Sequence, residues 1–127
     1  MSEVLISNPA EFDIVCMAKV TFDPISRHWL HATSRTEDDK DVLAGSRFDC
    51  DVKNKAGEII LEFSTEVAPG GLTIQNVNEI QWLKTAAQMN IAPGVYTFNM
   101  QRTVAGIVRP WAKGNFIVQP NNNQVPA

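Results

Sequence analysis

Two histidines three residues apart, His28 and His31, have the spacing in this chain that most resembles a metal site. Their segment is apolar enough for a short strand, and strand residues three apart face opposite sides of a sheet. The two imidazoles would therefore diverge, and no cysteine cluster lies nearby to complete the three or four ligands that zinc requires. We predict no metal and no cofactor, and we assign these histidines to the surface or to a contact between subunits.

The acidic segment Glu37-Asp38-Asp39-Lys40-Asp41 is the second candidate site, in this case for calcium. It lacks the ordered acidic positions and the central glycine of an EF-hand loop. Asp49 and Asp51 share one face of a predicted strand and could supply further oxygen ligands. A solvated charged loop that keeps an exposed sheet edge from pairing explains the same residues, and we adopt that interpretation.

No arrangement of residues predicts catalysis. The chain has no Gly-x-Ser-x-Gly motif, and Pro69-Gly70-Gly71 lacks the lysine and the following helix of a phosphate-binding loop. The two cysteines, Cys16 and Cys50, lie in segments of alternating apolar residues, which favours two buried thiols without a disulfide. We therefore predict that the protein is not an enzyme.

The three tryptophans are open to more than one interpretation. Trp82 alternates with an apolar neighbour and is predicted to anchor the core. Trp29 and Trp111 lie in less regular segments, and Trp111 is flanked by Arg109 and Lys113. Such a set is compatible with core packing, with a protein interface enriched in Trp and Arg, or with a platform for a sugar ring. We identify Trp29, Arg109, Trp111 and Lys113 as a possible interface.

Length and charge narrow the class of protein. The 127 residues suffice for one ordinary domain, and 44% of them are hydrophobic, as in a globular protein. The net charge of −3 argues against non-specific binding to nucleic acid. No apolar run approaches the roughly 20 residues of a membrane span, and no signal peptide is visible. We expect neither nucleic acid nor a membrane as partner, and synthesis in a cytoplasm.

Alternation of apolar and polar residues with a period of two dominates the chain and predicts strands. Three inward-facing sets stand out: Phe48, Cys50 and Val52; Ile59, Leu61 and Phe63; and Tyr96, Phe98 and Met100. Gly57 is expected to adopt positive φ in the turn between the first two sets. Strands are also predicted over 12–22 and 28–31, a short helical turn over 83–89, and an edge or bulge at Pro110.

About seven short strands separated by turns predict an all-β fold, an antiparallel β-sandwich or barrel with one short helical turn. The sandwich is predicted to span residues 12–118. Residues 1–11 and 119–127 lack strand patterning, and we predict an N-terminal arm and a flexible C-terminal tail that become ordered only against a partner.

The stretch from Leu43 to Val118 carries an ordered series of short motifs. They are Leu43-Ala44-Gly45, Phe63-Ser64, an Ile-x-Trp strand, Lys84-Thr85-Ala86-Ala87, Pro93-Gly94-Val95-Tyr96, Phe98-Asn99-Met100 and Gly114-Asn115-Phe116-Ile117-Val118. The order Pro-Gly-x-Tyr and then Gly-x-Phe-x-Val resembles the immunoglobulin-like domain of tailed-bacteriophage virion proteins. It is similar to the N-terminal domain of the baseplate upper protein of lactococcal phages.

The resemblance implies an immunoglobulin-like antiparallel β-sandwich. It also implies a structural component of the virion that docks other virion proteins in the tail, baseplate or neck. A capsid decoration or collar protein is an alternative, and a host-surface carbohydrate-binding domain is another. Because virions present repeated sites, the same resemblance implies a homo-oligomer within the particle. It brings no catalytic residue with it.

Overall fold

The computed structural model describes residues 10–30 and 36–121, which form nine strands and one turn of 3-10 helix at Glu37–Asp39. The strands are β1 (Ala10–Glu11), β2 (Ile14–Met17), β3 (Ile25–Arg27), β4 (Arg47–Lys53), β5 (Ile59–Ser64), β6 (Leu72–Gln75), β7 (Glu79–Trp82), β8 (Gly94–Val104) and β9 (Ile107–Gln119). No helix in these two ranges is long and apolar enough to cross a membrane.

The strands form two sheets. The large sheet has the order β1-β9-β8-β4-β5, with β2 also paired to β9, and the small sheet has the order β3-β7-β6. Their apolar faces enclose a common core, which confirms the predicted all-β, immunoglobulin-like sandwich. One edge differs from the prediction, because β1 and β2 run parallel to β9 rather than antiparallel.

The core consists of the inward-facing side chains that alternation predicts. Phe48, Phe98 and Trp82 are buried, and Trp82 of the small sheet packs edge-on against Phe63 of the large sheet at 5.0 Å between ring centroids. Burial of each such ring contributes roughly 1.5–3 kcal/mol relative to exposure. The tryptophan predicted to anchor the core therefore joins the two sheets.

The hairpin of β4 and β5 follows the prediction except at one bulge. Gly57 has a φ of +83°, and the side-chain oxygen of Asn54 accepts hydrogen bonds from two backbone N–H groups of the turn. The register then shifts, so that Val52 lies opposite Leu61 but Lys53 lies opposite Ile59. Because Lys53 points outward, Ile59 does too, and its predicted place on the apolar face is wrong.

The first third of the chain departs furthest from the predicted strands. The strand predicted over 12–22 is confined to β2, because Lys19 adopts a φ of +61° and turns the chain. Phe22 then forms an isolated bridge to Lys84. The strand predicted over 28–31 is wrong, since β3 ends at Arg27 and His31 lies outside the described residues.

The remaining predicted elements concern the turn after Trp82 and the two ends. The predicted helical turn is a single turn in which the Met89 N–H donates to the Thr85 carbonyl. Glu11, assigned to the N-terminal arm, instead belongs to a short strand on β9. The rest of that arm, residues 1–9, and residues 122–127 of the predicted tail lie outside the described residues.

Candidate interaction surfaces

A β-bulge separates the residues that the sequence grouped as an interface. Met100 pairs with Ala112 and Gln101 with Pro110, so Trp111 is the extra residue of β9. A bulge turns two successive side chains toward one face of a sheet. Trp111 therefore points inward beside Ala112, whereas Lys113 points outward and approaches Glu11 at 3.6 Å. The bulge or edge predicted at Pro110 is confirmed.

Trp111 closes one end of the core. Its ring lies 4.3 Å from the ring of His28 and 4.7 Å from that of Phe48, measured between centroids. The Trp82 indole N–H donates to Ser26 Oγ at 2.9 Å, and Ser26 Oγ lies 2.7 Å from His28 Nε2. The hydroxyl therefore accepts from the indole and also lies within hydrogen-bond distance of the imidazole.

Burial fixes the protonation state of His28. Desolvation, and secondarily the positive charge of Arg102, lower its pKa to about 4. The ring is therefore neutral near pH 7 and serves as a packing and hydrogen-bonding residue of the core end. The half-buried ring packs within its own chain and does not lie free at the surface, as one alternative predicted, while the predicted contact between subunits stays a prediction.

Arg102 ties the acidic loop to the same end of the sandwich. Its guanidinium donates to both carboxylate oxygens of Asp41 at 3.0 Å, to Ser46 Oγ at 2.8 Å and to the Val42 carbonyl at 2.9 Å. The pair is mostly shielded from solvent, which strengthens it relative to an exposed pair. This arginine is thus fully engaged within the chain.

The predicted interface residues do not form one surface. Trp29 is half-buried and bridges to Lys40, Trp111 is packed inward, and Lys113 lies on the outer face of the large sheet. Arg109 is exposed, and it has no hydrogen bond or ion pair within the described ranges 10–30 and 36–121. Of the four, Arg109 alone presents an unpaired functional group to solvent.

The end of the β8–β9 hairpin is one candidate surface, here called the hairpin tip and defined by Val104, Ile107, Val108 and Arg109. The three aliphatic side chains are 44%, 55% and 56% exposed. Ala105 and Gly106 both have positive φ, as a two-residue type I′ turn requires. Val104 lies opposite Ile107 across the hairpin, and residues directly opposite each other share a face. Arg109 lies two residues after Ile107 on β9 and therefore points to that same face.

The outer side of β5 is the other candidate surface, here called the β5 edge and defined by Ile59, Leu61 and Glu62. β5 pairs with β4, and its opposite side has no strand partner from Ile59 to Phe63 in the part of the chain that the structure describes. The Ser64 N–H donates to Gly70, away from β4. Because backbone groups alternate sides along a strand, the N–H and carbonyl of Glu62 face the same open side.

Unpaired negative charge accompanies the β5 edge. Asp51 and Glu62 are direct cross-strand neighbours, an arrangement of like charges that costs stability. Within the described residues neither carboxylate has a hydrogen bond or an ion pair. The nearby Lys84 is directed elsewhere, since its ammonium donates to the Pro69 carbonyl at 3.3 Å and lies over the Phe63 ring. Burial lowers the pKa of Lys84, and the negative field of Glu62 partly opposes that effect.

The other sequence candidates are structural. Asp49 accepts two hydrogen bonds from Arg47 and one from Ser64, so its oxygens are already engaged. Across residues 10–30 and 36–121, no three side chains of His, Cys, Asp or Glu are grouped closely enough to bind a metal ion. Both cysteines are free; Cys50 is buried as predicted, whereas Cys16 is only half-buried, and burial raises the pKa of both thiols.

Sequence reasoning missed both surfaces for identifiable reasons. Strict alternation assigned Ile59 to the core, because a bulge shifts register without a distinctive residue in β5. The free side of β5 depends on strand order, which alternation does not encode. A usable signal was present at the hairpin tip. Apolar residues flank Ala105-Gly106, and apolar residues next to a two-residue turn lie at the end of a sheet, where few other residues cover them.

The chain was compared with known families, curated proteins and solved structures. No protein-family model matches it, and no curated protein matches it. Among solved structures it is similar to CopC from Methylosinus trichosporium OB3b, with 14% sequence identity and a TM-score of 0.44. The match covers 91% of this chain and 90% of that chain.

These findings overturn the predicted function. The similar structure is CopC and not a virion protein, so the prediction of a structural component of a tailed-phage virion is wrong. Its alternatives as decoration, collar or host-surface carbohydrate-binding protein are not carried further. The motifs that carried the resemblance have structural roles, which is why they misled the prediction of function. Gly94 begins β8, and the missing side chain of Gly114 lets the Phe12 carbonyl lie close to β9. Such motifs specify strands and turns, not a partner.

Proposed function

We propose that this chain is a binding domain rather than an enzyme, and that it accepts an extended segment of a partner protein along the β5 edge. One observation carries the proposal: the open backbone of β5 lies beside the unpaired carboxylates of Glu62 and Asp51. Strand addition to a free edge supplies backbone hydrogen bonds, and side chains on alternate faces supply selectivity.

The side chains along the β5 edge define the chemistry of the segment. Glu62 is exposed on the outer face and lies next to Asp51, so a lysine or arginine in the added strand would relieve their mutual repulsion. Leu61 faces inward and is half-buried, so the next residue of the segment should be apolar. The bulge at Ile60 twists the start of β5, leaving 61–63 as the regular part.

A labelled peptide of alternating valine and lysine tests the proposal by fluorescence anisotropy. We expect it to bind, whereas a peptide of alternating valine and glutamate does not. Glu62→Gln should raise the dissociation constant roughly three- to tenfold, corresponding to about 1 kcal/mol. Asp38→Asn, the same neutralisation on the exposed 3-10 turn, is the matched control and should leave binding unchanged.

Strand addition is separated from simple charge attraction by a third peptide. It keeps the same number of lysines but carries two successive prolines at its centre, which removes the central ladder N–H donor whichever residue type bonds to β5. We expect this peptide to lose binding. Equal binding of the proline peptide, or equal binding by wild type and Glu62→Gln, would show that β5 does not accept a strand.

A further inference from the structure

We propose that the partner at the β5 edge is the hairpin tip of a second copy of this chain, so that copies associate head to tail. This inference rests on the proposed function and names its occupant. The hairpin tip is apolar and basic, and the β5 edge is apolar and acidic. Each surface thus carries the group that the other lacks.

Charge is the first argument for this occupant. Arg109 is the exposed, unpaired cation of the hairpin tip, and Glu62 with Asp51 forms the unpaired anionic pair beside the β5 edge. An interface that joins Arg109 to this pair satisfies both surfaces at once. Complementary charges of this kind select the partner and accelerate association.

Apolar contact is the second argument. Val104 and Ile107 share a face with Arg109, and Ile107 lies two residues from Arg109 along β9. Ile59, which is 49% exposed, lies on the same outward face of the β5 edge as Glu62. Aliphatic groups therefore accompany the charge on each surface, and their burial would drive association that a single surface ion pair could not.

The topology excludes contact within one copy. In the large sheet two to three interstrand spacings, or about 9–14 Å, separate the strands of the hairpin tip from β5. Arg109 pairs with Arg102 and Asp51 pairs with Asn99, three residues away along β8, so Arg109 and the acidic pair lie on opposite faces of the sheet. An interface between them is heterologous, and its repetition produces rings or open chains instead of a closed two-fold dimer.

Sedimentation velocity of the purified full chain over a concentration series tests this assembly. We expect wild type to form species larger than a dimer as concentration rises, and to dissociate as salt is raised. Arg109→Glu and Glu62→Lys should each raise the dissociation constant at least about tenfold. Asp38→Lys, a reversal of the same size on the 3-10 turn, should associate as wild type does.

Mixing variants distinguishes head-to-tail contact from other modes. An Arg109→Ala chain keeps its β5 edge and the Glu62→Lys chain keeps its hairpin tip, so an equimolar mixture of these two should form a one-to-one dimer and nothing larger. The double variant Arg109→Glu with Glu62→Lys should recover association, because its charges are exchanged. Thermal unfolding of each variant confirms that it folds, and Glu62→Gln replaces Glu62→Lys if the nearby Lys84 makes the latter unstable.

The outcomes separate this inference from the proposed function. Wild type that remains monomeric at every concentration, or a mixture that fails to form the dimer, overturns head-to-tail assembly. If the valine–lysine peptide still binds in a Glu62-dependent manner, the proposed function survives that result. If copies associate through Arg109 and Glu62 but the peptide does not bind, strand addition is the part that is wrong.

Discussion

The ring of His28 lies 4.3 Å from the ring of Trp111, and this contact joins the segment that follows β3 to β9 of the large sheet. The two residues are far apart in the sequence, and His28 directly follows a strand of the small sheet. Trp111 reaches His28 because the bulge in β9 turns it inward. The contact closes one end of the core and leaves the hairpin beyond it exposed.

The protonation of His28 predicts how stability depends on pH. Its pKa is about 4 in the folded chain against an ordinary value of 6.5, so between these values the unfolded chain binds a proton that the folded chain does not. The free energy of unfolding should therefore decrease as pH falls from 6.5 to 4, by up to about 3 kcal/mol. Urea unfolding at pH 7 and pH 4.5 measures the difference.

The matched variant for the pH effect is His28→Asn, which cannot titrate in this range. The difference in unfolding free energy between the two pH values should shrink by about 2 kcal/mol relative to wild type. Arg102 and Asp41 are the charged groups of this end and remain in both proteins. An identical pH dependence in the two proteins would mean that His28 is already protonated or exposed in the folded state.

Trp111→Ala should destabilise the fold strongly, because it removes a ring packed on both Phe48 and His28. We expect a loss of about 3 kcal/mol, in the range for large-to-small changes at the core. Arg109→Ala, two residues away and exposed, is the control and should stay within about 0.5 kcal/mol. Chemical denaturation of both variants provides the comparison, and equal effects would place Trp111 at the surface.

Gly114→Ala should disrupt the parallel edge of the large sheet. A Cβ at position 114 would lie 1.7 Å from the Phe12 carbonyl oxygen, so the segment joining β1 to β2 must move. We expect a loss of roughly 1–3 kcal/mol. Gly94→Ala on β8 is the matched control, since the nearest atom to its Cβ would be 3.9 Å away. Similar melting temperatures for the two variants would contradict the crossing of Phe12 over β9.

The sequence was sufficient for those parts of the fold that depend on local pattern. Alternation predicted the inward faces of β4 and β8, and Gly57 predicted the turn between β4 and β5, because each signal lies within one or two strands. It did not predict the parallel pairing of β1 and β2 with β9, which joins residues about 100 positions apart. Non-local pairing leaves no periodic trace in either segment.

The candidate site was less predictable than the fold. The sequence grouped Arg109, Trp111 and Lys113 because they are neighbours along the chain, and the bulge at Trp111 directs them differently. Arg109 and Lys113 are both exposed, and of these two only Lys113 has an ion pair within the described residues. The acidic pair of Asp51 and Glu62 depends on the register between β4 and β5, so it became visible only when the two strands were aligned.

Amide hydrogen exchange at Glu62, followed by NMR, tests strand addition at the β5 edge most directly. This N–H faces the open side of β5 and should exchange rapidly in the free domain. The valine–lysine peptide should slow its exchange at least tenfold, while the proline-containing peptide leaves it unchanged. The amide of Asn99 in β8, an interior strand of the large sheet, should not respond. An unchanged exchange rate at Glu62 with saturating peptide would contradict the proposal that β5 accepts a strand.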